Sequence, residues 1–218
     1  MRTIRVTGNG SVSVKPDTTS LRITFEGVYK DYEETVRQSS EKTKLLREAI
    51  EKSGLPGEDL KTKDFSIQSE YESYRDHNND YKKRFVGYKF HHRTQIEFSN
   101  DNKMLGRILY ELSVCSVKVE FSIGYTVKDK DAVKKEVIKR AVENSREKAE
   151  ILATAAGVTL GEIQSIDYSW GEIKIRTSPI EMLQMISKSI LAEPSYDIDI
   201  EPDDIDVADT VTILWEIK

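Results

Sequence analysis

From Ala141 to Gly161 the chain carries a long helical pattern whose inner face is made of small residues. Ala141, Ser145, Ala149, Leu152 and Ala156 recur three or four positions apart, while Arg140, Glu143, Arg146, Glu147 and Glu150 face away. A helix lined with alanine and serine can lie unusually close to whatever it covers. Gly157 predicts the stop, and Leu160 to Trp170 predicts a strand. This pattern constrains architecture and leaves the reaction, if there is one, unspecified.

The rest of the chain organises around two such helices. Leu21, Ile23 and Phe25 alternate with Arg22, Thr24 and Glu26, which predicts a strand buried on one face. Asp31 and Glu34 have capping-box spacing, and Val36, Thr43, Leu46 and Ile50 mark a helical stripe ending at Gly54. Strands are expected over Leu60–Tyr71 and Tyr88–Phe98, then a short helix at about 101–113. The second half repeats the plan: an alternating strand from Val117 to Val127, the long helix, a strand near Ile163–Trp170, and a last strand through Val211, Ile213, Trp215 and Ile217. Gly157, Asp167 and Ser169 each follow Gly54, Asp64 and Ser66 by the same offset, 103 positions. The expected fold is therefore α+β, one domain over 1–218, with duplicated β-α-β-β halves at about 18–98 and 117–217. Each half should be a mixed sheet covered on one face by a long helix, because a crossover helix leaves the strands flanking it parallel.

Composition narrows the class. Apolar residues at 38%, charged residues at 33% and a net charge of -5 describe a globular chain with a very polar surface. Lysine and arginine are dispersed, which argues against a nucleic-acid partner. A single cysteine, Cys115, rules out an intrachain disulfide framework and reads as a small buried filler. No apolar run approaches the ~18–20 residues of a membrane span. Met1-Arg-Thr-Ile-Arg-Val-Thr runs directly into an alternating strand with no signal-peptide core. A cytoplasmic location is expected for the chain as written, and a periplasmic or envelope location if a leader was removed.

Candidate chemistry is sparse. Gly8-Asn-Gly10 lacks the third glycine of a dinucleotide loop and leads to Pro16-Asp17, not to a helix, so a turn or bulge with positive φ at both glycines is expected. His91 and His92 point to opposite faces of a strand, and His92 falls with the apolar residues as a core or interface histidine. His77 lies in a polar tip. The acidic run Asp197, Asp199, Glu201, Asp203, Asp204 and Asp206 lacks the ligand spacing of a calcium loop. No catalytic, cofactor or metal residues are assigned, and no cofactor is expected. Tyr71, Tyr74, Tyr81 and Tyr88 surround the first hairpin, where they either form a protein interface or pair across the strands. The connection 171–206 is long for a loop. Its apolar residues Ile180, Leu183, Ile186 and Ile190 need a cover, on this chain or on a partner subunit.

Three motifs in order resemble the SIMPL domain family. They are Val6-Thr-Gly8-Asn-Gly10-Ser-Val12-Ser-Val14-Lys-Pro16-Asp17, then Gly87-Tyr88, then the helix with Lys148-Ala149 and Leu152-Ala153 followed by Gly157-Val158 and Leu160-Gly161. The resemblance spans nearly the whole chain. It implies a mixed α/β fold, large oligomeric assemblies, and links to stress resistance and the cell envelope. It brings no established catalytic residues. This chain departs from the pattern in showing no export signal and in its acidic, apolar connection after Trp170.

The leading functional expectation is a non-catalytic, self-assembling binding or scaffold protein, tied to envelope or oxidative-stress physiology. A homo-oligomer is expected, with a protein partner also compatible with the exposed tyrosines Tyr74 and Tyr81. The alternatives are a small-molecule or metal-dependent enzyme with a pocket between the repeats, and an adaptor that captures a client peptide at a sheet edge.

Overall fold

A computed structural model describes residues 2–168, 175–177, 180–182 and 200–218. Leu183, Ile186 and Ile190 of the candidate interface lie outside the described residues, as do Ser169 and Trp170. The chain is α+β and divides into two compact units.

The first unit combines Met1–Asp17, Thr126–Thr177 and Pro202–Lys218. Strand β1 (Arg2–Val14) pairs antiparallel along its length with β8 (Ile205–Ile217), and β6 (Leu160–Asp167) flanks β8 on the other side. Helix α3 (Lys130–Ala155) begins at Asp129, whose carboxylate accepts the Ala132 N–H at 2.9 Å. Its buried row is Val137, Ala141, Ser145, Ala149 and Ala153, a strict four-residue spacing. Leu152 and Ala156, expected on this face, are exposed, Leu152 by 49%. The narrow ridge of four-residue steps leaves no room for a residue one position off it. Val6, Val211, Ile213 and Trp215 form a core with Ala141 and Ala149, and Val207, Ile205 and Val127 form a second with Val137 and Ile175.

The second unit combines Thr18–Tyr125 and Ser178–Glu201. Its sheet has the order β3-β4-β2-β5-β7, from β2 (Thr18–Tyr29), β3 (Lys61–Arg75), β4 (Tyr81–Ser99), β5 (Glu120–Thr126) and the three-residue β7 (Ile180–Met182). Helices α1 (Tyr32–Ser53) and α2 (Asn102–Val114) supply Leu46, Ile50, Leu105, Ile108, Leu109 and Leu112 to a core with Leu21, Ile23, Phe25, Phe90 and Ile96. Each such side chain fully removed from water contributes about 1.5–3 kcal/mol. The α1 stripe differs from the expected one, since Val36 is exposed and Thr35 and Ser39 are buried. Their hydroxyls bond to the helix's own carbonyls of Asp31 and Val36, so small polar side chains can be buried here without orphaned donors. The capping box is not formed: Asp31 makes no side-chain cap, and Glu34 turns to Arg37 and Gln38.

The two units share a plan, with one rearrangement. In the second unit an outer strand β3 follows the helix and pairs with β4, whose other neighbour is β2. In the first, β6 follows α3 and pairs with β8, whose other neighbour is β1. The strand that directly precedes α3 is β5, yet it lies in the five-stranded sheet against β7, and the chain's first strand takes the place beside β8. All described registers are antiparallel, which corrects the expectation of mixed sheets. β2 and β3 do run the same way, but β4 separates them. Both long helices end identically. Gly54 N–H bonds Glu51 O and Leu55 N–H bonds Ile50 O; Gly157 N–H bonds Thr154 O and Val158 N–H bonds Ala153 O. Both glycines have positive φ, 102° and 71°. This paired capping pattern is the left-handed stop that glycine favours.

Candidate functional site

Three places in the described residues carry the sequence motifs. The first is where β1 meets α3. Gly8 and Gly10 sit inside a continuous strand and neither has positive φ, contrary to expectation. They are glycines because of space. A Cβ on Gly8 would stand 2.0 Å from Ala141 O, and one on Gly10 would stand 2.0 Å from Val137 O. The small-residue row of α3 therefore lies directly on the backbone of β1. Polar side chains fasten the contact: Ser145 Oγ donates to Val6 O, Lys148 Nζ to Thr7 O, Arg140 Nη1 to Ser11 O, and Asn9 N–H donates to Asn144 Oδ1. These bonds occupy backbone groups of β1 and tie the helix to the strand. Pro16 is buried beyond the strand, and Asp17 accepts the Lys128 N–H at 2.8 Å, which ties the segment entering α3 to the end of β1. Gly161 is also a close approach, with Glu216 Cβ 3.0 Å from where its own Cβ would be.

The second place is His92. It is 6% exposed and lies between the rings of Phe25 and Phe65, with centroids at 4.8 and 5.1 Å. Its Nδ1 is 3.2 Å from Thr43 Oγ1 and its Nε2 is 2.9 Å from Thr62 Oγ1. The tautomer follows from the neighbours. Thr43 already donates its hydroxyl hydrogen to Ser39 O at 2.7 Å, so it accepts from Nδ1–H. Nε2 is then the acceptor, and Thr62 donates to it. Burial, and next the positive charge of Arg47, hold the imidazole below its ordinary pKa. Sequence alternation placed His92 correctly; its hydroxyl partners gave no signal, since Thr43 and Thr62 lie 49 and 30 positions away.

The third place is the hairpin between β3 and β4. The β2–β4 ladder ends at Tyr29 opposite Tyr88, while the β3–β4 ladder continues to Arg75 opposite Tyr81. The last stretch is thus a two-stranded arm. It leaves the sheet at Gly87, whose φ is 142° and whose added Cβ would lie 2.2 Å from Tyr29 O. A register shift between Glu70 and Tyr71 marks the same point. At the tip Asp76 accepts the N–H groups of Asn78 and Asp80, and Asn79 takes a positive φ of 66°. A bond from the Lys82 ammonium, with these backbone donors, keeps the Asp76 carboxyl below the usual carboxylate range. Along the arm runs a chain of edge-to-face rings: Tyr71 to Phe85 at 5.7 Å, Phe85 to Tyr88 at 5.3 Å, and Tyr88 to Tyr32 of α1 at 5.6 Å. Arg84 stacks over Tyr74 and pairs with Glu72, and Arg75 stacks over Tyr81 and donates to its hydroxyl. Tyr71, Tyr74, Phe85 and Tyr32 are exposed, and Tyr81 is 74% exposed. The aromatic residues therefore pair across the arm and also face solvent. Phe85 and Tyr32 were not among the sequence candidates; Phe85 is the cross-strand partner of Tyr71, which only the register reveals.

The remaining candidates are quieter. Cys115 is half-buried against the core of the second unit. Among the described residues no group of three or more His, Cys, Asp or Glu side chains could hold a metal ion. A shallow depression lined by Asp167, Tyr168, Asp209, Thr210 and Thr212 holds a 2.7 Å bond from the Tyr168 hydroxyl to Asp209, which raises the phenol's pKa. No described helix is long and apolar enough to cross a membrane.

These motifs match a known family model, SIMPL, described as a protein of unknown function (DUF541), over residues 4–215. The chain belongs to the SIMPL family. Two related proteins are each called "26 kDa periplasmic immunogenic protein", one from Brucella melitensis and one from Brucella abortus. Each is 28% identical to this chain over 99% of it and 84% of the relative's own length. The SIMPL match covers all three motif regions, so the glycines of β1, the arm at Gly87-Tyr88 and the glycine stop of α3 lie within the family's domain.

Proposed function

We propose that this SIMPL protein is a non-catalytic scaffold that assembles with copies of itself through the β3–β4 arm. The observation that carries the reading is the arm itself, a hairpin standing clear of β2 with Tyr71, Tyr74, Tyr81 and Phe85 exposed together. Tyrosine and arginine are enriched among the residues that concentrate binding energy at protein interfaces, tyrosine because it buries a large rigid surface at small entropic cost and arginine because its planar fork stacks and donates several hydrogen bonds. The acidic and amide-rich tip, Asp76 to Asp80, speaks against insertion into a lipid surface. His92 supports the non-catalytic part, since each ring nitrogen is already engaged by a threonine hydroxyl. The word "periplasmic" in the relatives' names supports a setting at the cell envelope.

The test is the mass of the purified full-length chain by light scattering across a wide concentration range. A mass above the monomer's 25.0 kDa that falls in a Tyr71→Ser/Phe85→Ser double variant supports the proposal. A wild-type mass that stays monomeric at high micromolar concentration overturns it.

A second reading has its own observation. β3 is a fifteen-residue edge strand, exposed along most of its length, and an extended peptide could add to it by backbone pairing. Saturable capture of an extended peptide by a strictly monomeric protein would favour that reading over self-assembly.

A further inference from the structure

His92 joins four elements at one point. It stands on β4, its Nδ1 bonds to Thr43 of α1, its Nε2 bonds to Thr62 of β3, and its ring packs on Phe25 of β2 and Phe65 of β3. Two of these contacts hold the start of β3, the outermost strand of the sheet on this side. Beyond its ladder to β4 and the packing of Leu60 and Ile67 on the core, that start has few other holds. The register slips between Thr62 and Asp64, Phe65 is 45% exposed, and Lys61 to Phe65 are all exposed. We infer that His92 is an acid-sensitive clamp, whose protonation releases the Lys61–Ile67 stretch of β3 from α1 and β4.

The chemistry follows from the hydrogen-bond directions. In the neutral ring Nε2 accepts from Thr62, and Thr43 cannot give its hydrogen because Ser39 O already has it. A proton on Nε2 turns that acceptor into a donor facing a hydroxyl hydrogen, so the Thr62 bond must break or its hydroxyl must rotate. It also places a charge between two phenyl rings, where water cannot solvate it. The charged groups around it do not compensate. Arg47 on α1 and His91 on β4 oppose a positive charge, Asp64 on β3 favours it, and β2 presents the Phe25 ring. The folded-state pKa is thereby held below the ordinary value of ~6.5. The sign is then fixed. Above pH ~6.5 the ring is neutral folded or unfolded, and the clamp is fully present. As pH falls from there through the lower folded-state value, the open form binds the proton more readily, and the clamp is progressively lost.

The experiment is amide hydrogen exchange on the full chain at pH 7.5 and 5.0, corrected for intrinsic exchange, beside an NMR titration of the His92 imidazole. Exchange in 61–67 and in the facing stretch of α1, 39–47, should accelerate at least fewfold at pH 5.0 beyond any change in β1. The imidazole midpoint should lie below 6.5 and move upward in Arg47→Gln, a change on the exposed side of α1. His92→Gln should flatten the pH response of 61–67, while His91→Gln should keep it. Should His92→Gln fail to fold, the pH response of wild-type exchange in 61–67 and its shift with the imidazole midpoint in Arg47→Gln decide. A midpoint at or above 6.5, or exchange in 61–67 that does not respond to pH, overturns the inference.

Discussion

Replacing Gly10 by alanine tests the close packing of β1 on α3 most directly. The added methyl carbon would lie 2.0 Å from Val137 O, 2.7 Å from Ala141 N and 3.0 Å from Val137 C, all backbone atoms of α3. No flexible side chain can yield, so strand or helix must move by roughly an ångström or more to restore van der Waals distance. Such a shift would also strain the Ser145–Val6, Lys148–Thr7 and Arg140–Ser11 bonds. Overpacking of a tight core costs ~1–3 kcal/mol and occasionally more. Alanine offsets ~0.5–1 kcal/mol of this by lowering the entropy of the unfolded chain. Because the clash is with backbone, the upper end of that range applies, and a net loss of about 2 kcal/mol is expected, or ~4–8 °C in melting temperature for a chain of this size. Urea unfolding followed by fluorescence is a suitable assay, because Trp215 is buried in the core beneath α3. The midpoint should fall with little change in slope. Gly124→Ala is the matched control, since a Cβ there meets nothing within 4 Å, and it should be neutral or slightly stabilising. A Gly10→Ala midpoint indistinguishable from that of Gly124→Ala would refute the argument.

Three other outcomes are expected. Ala149→Leu, at a fully buried position on the same row of α3, should lower stability by ~1–3 kcal/mol, whereas Leu152→Ala at its exposed neighbour should stay within about 0.5 kcal/mol in the same melt. Gly54→Ala and Gly157→Ala meet no atom within 4 Å but force alanine into the left-handed region, so each should cost ~1–2 kcal/mol by thermal unfolding, and by similar amounts because the two caps share one bonding pattern. Asp76→Ala removes the acceptor for two tip N–H groups and the partner of Lys82; amide exchange at Asn78 and Asp80 should accelerate while the core of the second unit is unchanged.

What could be read from the sequence was whatever repeats at a local period. Alternation in β2, β4 and β8 predicted those strands and their buried faces, and the small-residue steps of α3 predicted the helix and three of its buried residues, Ala141, Ser145 and Ala149, because one side chain in two or in about four must meet the core. His92 was placed by the same rule. What failed depended on partners far along the chain. The glycines at 8 and 10 looked like a turn, because Gly-Asn-Gly is locally turn-like. Their real cause is a helix whose facing residues, Val137 and Ala141, come more than 120 positions later. The signal was divided between two places: two glycines two apart on a strand, and a row of Ala and Ser four apart on a helix. Either half alone has a local explanation.

The same reasoning explains why the second half was assembled differently from its sequence pattern. Val117 to Val127 alternates well and directly precedes α3, so local order assigns it to the sheet under that helix. A strand under α3 must let the helix come within contact of its backbone, and β1 can, because its facing positions are Gly8 and Gly10. The inward residues of β5 include Ile123 and Tyr125, both fully or almost fully buried in the core of the second unit. Side chains of that size would hold Ala141 and Ser145 well away from the strand and leave the small face of α3 without contacts. The glycines of β1 and the alanines of α3 thus fit each other in volume, and the polar bonds from Ser145, Lys148 and Arg140 to the strand add to a match that β5 does not offer.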